Sequence, residues 1–356
     1  MKTQQLSSSK QVILALTDDK AGHETQTQGI IQLLNQNQEY KVEWIHLEQP
    51  NHWLYRLLRW LLNFHIDINW LRYFVSDEML QRLEDLPVAY IISSGGNTLI
   101  PNVLLKKYFL IRKYNVKNIV ASSLRGISPK KFDVIFTVRE QQASLEHYLY
   151  YPIAPNKMTS LQLTQDQARK NLEISSHEQV ITVLIGADSE KVGICSPLQW
   201  AKLLQNIRLQ FPESRLLLTT SRRTSMKFET ELRNYCEKME IFKVQDKMTW
   251  VAKGQACDIK NYIKAANWVV CSQDSTSMMA EIMMAEKPLI VAYNQAEMKD
   301  SLIDSQLSIL EEKGWLFKLD IEHLSEINQY LDHYHQVVHS YNLYKALNNH
   351  LASEKL

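Results

Sequence analysis

WVVCSQDSTSMMAEIMMAEKPLIV, residues 268–291, reads as a strand, a turn, a helix and a second strand in quick succession. WVVC is a short apolar run bounded by a polar turn, which suits a buried strand. A helix follows from about Ser277, and Pro288 opens a further short strand. Strands alternating with helices mark a parallel α/β sheet. The alternation continues toward the N-terminus. RLLLT (215–219), QVITVLI (179–185), residues 134–137, 118–121, VAYIIS (88–93), residues 41–46 and QVILAL (11–16) are all strand-like. Helical stretches follow near residues 25–34 and from the Gly95–Gly96 turn to Lys113.

A chain of 356 residues exceeds one ordinary core and suits two α/β domains. Residues 151–162 carry prolines and little periodicity, as a linker does. The expected division is an N-terminal domain (1–155), a C-terminal domain (165–320) and a polar helical tail (321–356) free to pack back on the N-terminal domain.

Composition removes several classes of function. Hydrophobic residues at 45% and charged residues at 22% give a globular chain, and a formal charge of +1 offers no basic field for nucleic acid. The four cysteines form no C-x-x-C pair, which points to a reducing compartment. The opening MKTQQLSSSKQ has no apolar leader core, and no run reaches the roughly 18 apolar residues of a spanning helix. Neither G-x-G-x-x-G, nor a P-loop, nor a G-x-S-x-G elbow occurs, and the histidines lack zinc spacing.

In open α/β sheets the ligand lies at the carboxyl ends of the strands, so the post-strand loops are weighed next. TDDKAGHETQTQ (17–28) follows the first strand. Gly22 permits a tight turn, and His23 stands at a helix start, where an imidazole can take a hydroxyl proton near neutrality. Asp18 and Asp19 stand beside it, either as the base or to orient His23; the expected catalytic residues are His23 and Asp19. Thr25 or Glu24 acting only as a helix cap fits the same residues. In SSGGNTLIP (93–101), Ser94, Gly95, Gly96 and Asn97 let a ligand approach the backbone, forming an expected acceptor wall with Gly22. In IGADS (185–189), Gly186 opens the second half. TTSRRTS (219–225) sets Ser221, Arg222 and Arg223 after a strand, where guanidinium groups can bind a diphosphate. SQDSTSMMAE (272–281) is the strongest loop. Asp274, Ser275 and Ser277 crowd a helix start suited to anions, and Glu281 lies one turn on, placed for a ribose. The arginines take the role carboxylate-bound metal would play, so no metal and no cofactor are expected.

NHWLYRLLRWLLN, from Asn51 to Asn63, has Leu54, Leu57, Leu58 and Leu61 on one stripe and His52, Arg56, Arg59 and Asn63 on the other. Such a helix suits an anionic membrane surface, and it suits equally a helix packed on its own domain.

DDKAGHETQTQGI, SSGGNTLIP, KKFDVIF, IGADS, TSRRT and DSTSMMAEIMMAEKPLIV, in this order, resemble the bacterial and plant family named for mitochondrial fission, whose bacterial members include lipooligosaccharide outer-core glycosyltransferases. Two departures stand out. The family has an acidic residue where this chain has Gln273. After the FD strand it has a proline and a His–Asp pair, where this chain reads Thr137, Val138, Arg139, Glu140. A more distant likeness, through Gly22–His23 and Gly95–Gly96 with Pro101, is to the lipid-linked N-acetylglucosaminyltransferase of peptidoglycan synthesis. The resemblance implies an α/β chain of two Rossmann-like domains facing across a cleft (GT-B-like). It implies transfer from a nucleotide-sugar to a lipid-linked oligosaccharide, with inversion, by a cytoplasmic protein peripheral to the inner membrane. A nucleotide-sugar epimerase and a non-catalytic membrane adaptor are the rival readings.

Overall fold

The computed structural model describes residues 10–159, 163–323 and 327–353. Contacts divide the chain into two units, residues 1–160 with 340–356, and residues 161–339.

Unit 1 runs β1 (Val12–Thr17), α1 (Ala21–Leu34), β2 (Lys41–His46), α2 (His52–Leu61), α3 (Asp77–Leu83), β3 (Val88–Ser94), α4 (Leu99–Ile111), β4 (Lys117–Ala121), β5 (Val134–Thr137) and β6 (Tyr148–Tyr150). Its sheet has the order β2-β1-β3-β4-β5-β6 and every pair is parallel. A parallel sheet is covered on both faces, so its central strands must be apolar throughout. VILALT of β1 is buried at all its positions for this reason.

Unit 2 runs α5 (Gln165–Asn171), β7 (Val180–Leu184), α6 (Pro197–Gln210), β8 (Arg215–Thr219), α7 (Met226–Lys238), β9 (Lys247–Thr249), α8 (Ile259–Ala265), β10 (Trp268–Ser272), α9 (Thr276–Met284), β11 (Leu289–Tyr293), α10 (Ser301–Glu312), β12 (Phe317–Asp320) and α11 (Asn328–Leu331). The last helix, α12 (His339–Ser353), rejoins unit 1. The second sheet is also parallel, in the order β12-β11-β10-β7-β8-β9. Read from its own first strand, β7, this is the Rossmann order 3-2-1-4-5-6. Helix starts follow local sequence: Ser196 and Gln199 form a capping box on α6, with Pro197 at the first helical position.

The chain is thus α/β with two Rossmann-like sheets. Each has a switch point where successive crossovers pass to opposite sides, between β1 and β3 in unit 1 and between β7 and β10 in unit 2. The crevice at such a point is where this fold takes ligands.

Three details differ from the sequence reading. α1 begins at Ala21 rather than near Thr25, without a side-chain cap. Thr25 instead accepts a hydrogen bond from Lys157 N at 3.1 Å, and Glu24 one from the Thr17 hydroxyl at 2.8 Å. The stretch read as a linker packs tightly where it is described, since a Cβ on Gly29 would lie 2.3 Å from the Asn156 nitrogen. Residues 160–162 of that stretch lie outside the described residues.

Candidate functional site

At the unit 1 switch point, the loop after β1 and the loop after β3 meet through His23. Its Nδ1 lies 2.8 Å from Asp18 Oδ1. The Asp18 side chain is fully buried while 29% of the His23 side chain remains exposed. In the tautomer where the Asp18 carboxylate accepts, Nδ1 donates and Nε2 keeps its lone pair. Asp18 Oδ2 has no hydrogen-bond partner among the described residues, and Lys20 Nζ stands 3.6 Å from it.

The imidazole rests on Gly95. A Cβ there would meet its Cε1 and Nδ1 at 2.2 Å, and φ is +88°, so both space and backbone require glycine. A Cβ on Gly96 would strike Arg125 Nε at 2.1 Å. The Gly96 carbonyl accepts the Tyr55 hydroxyl of α2. Burial pushes that phenol up to about 12, against the pull of Arg125 and Arg59. Thr98 donates to the Gly95 carbonyl at 2.9 Å. Ser94 is buried and its hydroxyl has no partner among the described residues; Asn97 is half-buried.

Two expectations for this loop need correction. Asp19 does not touch His23. Its φ is +60°, which turns the side chain away, and its Oδ1 meets His46 Nδ1 at 2.7 Å at an exposed position. Gly22 makes no tight turn: it belongs to the first turn of α1, and a Cβ there would meet nothing. The left-handed residue of the turn is Asp19.

At the unit 2 switch point Asp274 ties three loops together. Its Oδ1 accepts the Ser272 hydroxyl at 2.6 Å, its Oδ2 accepts Ala187 N at 3.1 Å, and Arg223 Nη2 lies 3.6 Å from Oδ2. Ser272 in turn accepts Gly186 N at 2.8 Å. A Cβ on Gly186 would sit 2.2 Å from the Asp274 carboxylate, so this glycine admits the side chain rather than a ligand. Burial raises the Asp274 carboxyl above its ordinary range, opposed by the Ser272 hydroxyl, the Ala187 amide and Arg223. Asp274 therefore holds the loops in place. Thr224 adds a bond to the Gly186 carbonyl at 2.5 Å, and its hydroxyl is 3.0 Å from that of Ser221. Arg222 and Arg223 are both exposed. Ser275 is the N-cap of α9 yet forms no side-chain cap, which leaves the first-turn amides for another acceptor. Ser277 is exposed, and Glu281, one turn on, is buried.

His23, Gly95 and Gly96 thus come together in unit 1, and Gly186, Arg223 and Asp274 in unit 2. The sequence reading missed Tyr55, Arg125 and Thr224. Thr224 sits in the Arg222–Arg223 loop and was within reach; Arg125 belongs to no motif. Among the described residues, no group of three or more His, Cys, Asp or Glu is placed to hold a metal ion.

The sequence model of the family described as mitochondrial fission ELM1 matches residues 21–339. No curated protein sequence matches the chain. Similar solved structures include a glycosyltransferase from Rickettsia africae ESF-5, at 9% identity over 96% of this chain and 94% of that one, with a TM-score of 0.47. MnaA of S. aureus in a co-structure with UDP matches at 11% identity over 97% and 89%, with a TM-score of 0.46. ADP-heptose LPS heptosyltransferase II of E. coli matches at 11% identity over 97% and 99%, with a TM-score of 0.45.

Proposed function

The chain belongs to the mitochondrial fission ELM1 family, and from that premise we propose that it is a glycosyltransferase, moving a sugar from a nucleotide-sugar to a lipid-linked core oligosaccharide of the lipooligosaccharide type. The observation that carries this reading is the Asp18–His23 pair lying against Gly95 at the switch point of unit 1. Nε2 of His23 takes the proton of an acceptor hydroxyl as its oxygen attacks the anomeric carbon from the side opposite the leaving group, inverting it. Asp18 fixes the tautomer and balances the imidazolium that forms. The nucleoside diphosphate leaves with growing negative charge. Arg222, Arg223 and the first-turn amides of α9 would receive it, and they supply the positive charge that a metal would otherwise bring. Glu281 with Ser275 and Ser277 would hold the nucleoside.

The acceptor's lipid gives a role to α2. Trp53, Leu57, Trp60 and Phe64 are 79%, 53%, 60% and 75% exposed, with Arg56 beside them. Among the described residues no helix is long and apolar enough to cross a membrane. In the proposed arrangement this face lies on the anionic surface at the cytoplasmic side of the inner membrane, peripheral rather than spanning.

A thermal-shift series with nucleoside mono- and diphosphates tests the reading. Binding should stabilise the fold by about 3 kcal/mol at a hundredfold excess over Kd. His23→Ala should keep that shift and lose transfer. No shift with any nucleotide would overturn the proposal, and isomerisation of the donor sugar without acceptor would replace it with an epimerase.

A further inference from the structure

The proposed reaction leaves unused a cavity of about 270 Å³ at the carboxyl ends of β4, β5 and β6. Its lining mixes apolar side chains, among them Leu124, Phe136, Ile153 and Pro155, with polar ones, among them Ser122, Gln142, Tyr148 and Tyr151. Arg139 is the single charged side chain among the described residues lining it. It is exposed and has no carboxylate partner among those residues.

The Arg139 turn is built rather than loose. The Thr137 hydroxyl accepts Arg139 N at 3.1 Å and donates to Gln142 Oε1 at 2.5 Å. Gln142 has thus committed its carbonyl and keeps its NH2 as a donor. Burial raises the Tyr148 phenol, and the positive charge of Arg139 works against that. Gln26 closes the cavity from α1, three residues after His23, on an adjoining part of the same helical face.

We propose that this cavity is a subsite for an acidic sugar, a pyranose ring carrying a carboxylate or a phosphate, next to the sugar whose hydroxyl meets His23. The inference rests on the reading that unit 1 receives a saccharide acceptor. Aromatic and aliphatic side chains cover the faces of a sugar ring, while hydroxyl and amide groups match its rim. A guanidinium without a carboxylate partner among the described residues selects an anion that it can hold through two hydrogen bonds.

The test uses the full chain and three probes: methyl β-D-glucuronide, glucose 6-phosphate and the neutral methyl β-D-glucoside, titrated by ligand-observed NMR. At least one acidic sugar should bind about tenfold more tightly than the neutral one. Which of the two prevails tells carboxylate from phosphate. Arg139→Gln should remove the preference without moving the melting temperature. Gln142→Ala gives a second reading of the same cavity and should weaken all three probes. Equal binding of acidic and neutral sugars, or a preference that survives Arg139→Gln, would overturn the inference. Where glucose 6-phosphate prevails, inorganic phosphate titrated as a control and binding as tightly would do the same, since the sugar would then contribute nothing. A nucleotide shift without acidic preference removes this subsite alone; acidic preference without any nucleotide shift removes the transfer reaction and leaves the subsite.

Discussion

Two aspartates follow β1, and backbone conformation decides which of them reaches His23. Asp19 occupies the left-handed region at φ +60°, a conformation that aspartate tolerates better than most residues. That single turn sends Asp18 inward to α1 and Asp19 outward to His46. The adjacent pair was legible in the sequence; the choice between its members was not, because it depends on a dihedral that composition does not encode. Asp18→Asn should therefore lower transfer by roughly 10²–10⁴ through loss of the correct tautomer, whereas Asp19→Asn should leave the rate within a few-fold. Initial rates of nucleoside diphosphate release read both, and equal losses would remove Asp18 from the mechanism. Burial shifts a histidine of unit 2. His339, packed edge-on to Trp315 at 4.4 Å between centroids, is pushed down to about 4 by burial from an ordinary 6.5. The unfolded chain takes up this proton first, so stability is full above about pH 6.5 and falls as the pH drops toward 4. The loss is roughly 3 kcal/mol at most. Denaturant melts of the parent chain and His339→Phe across that window should converge at neutral pH and separate below it.

The strands that the sequence reading placed lie mainly inside the sheets, and the three that it missed are all edges. β6 (YLY), β9 (KMT) and β12 (FKLD) are three or four residues long and mostly half-exposed. An edge strand needs no continuous apolar run, so it leaves no periodic signal, and its shortness also limits pairing with other chains. The leucine stripe of α2, left open in the sequence between a membrane surface and the helix's own domain, is divided in the structure: Leu58 is buried together with Tyr55, while Leu57 is exposed. The hydrogen bond from Tyr55 to Gly96 lets a phenol go inside, and the helix turns to suit. What remains outside is an aromatic face: Trp60 and Phe64 stand 5.1 Å apart, and Arg56 lies over Trp53 at 5.8 Å. Replacing Trp53 and Trp60 together with serine should cut co-sedimentation with phosphatidylglycerol vesicles by about tenfold or more, through loss of apolar burial in the interface. Binding of the parent chain should also weaken as salt rises. Because both side chains face water, the melting temperature should stay put. A parent chain indifferent to such vesicles would take the membrane role away from α2.

Unit 2 is contained within one stretch of chain, while unit 1 is assembled from two. Residues 161–339 form the former, and residues 340–356 return to the latter. The returning helix α12 buries Leu343, Leu347 and Leu351, spaced by four so that they share one face. Lys117 at the start of β4 donates to the Leu351 carbonyl at 3.3 Å, and Asn342 offsets the effect of burial on the Tyr151 phenol by hydrogen bonding. Three buried leucines contribute roughly 5 kcal/mol together, a large share of the stability of an ordinary domain. Ending the chain at Val338 should therefore weaken unit 1 strongly and leave unit 2 nearly untouched. Scanning calorimetry should show the unit 1 transition displaced to lower temperature or lost. The unit 2 transition should persist and, if that unit holds the nucleotide, rise on addition of the nucleoside diphosphate that the thermal-shift series identifies. One shared transition that drops as a whole would show instead that the units unfold together, and an unchanged trace would show that α12 contributes nothing. The two-piece construction thus makes the stabilities of the two units separately measurable quantities on a single chain.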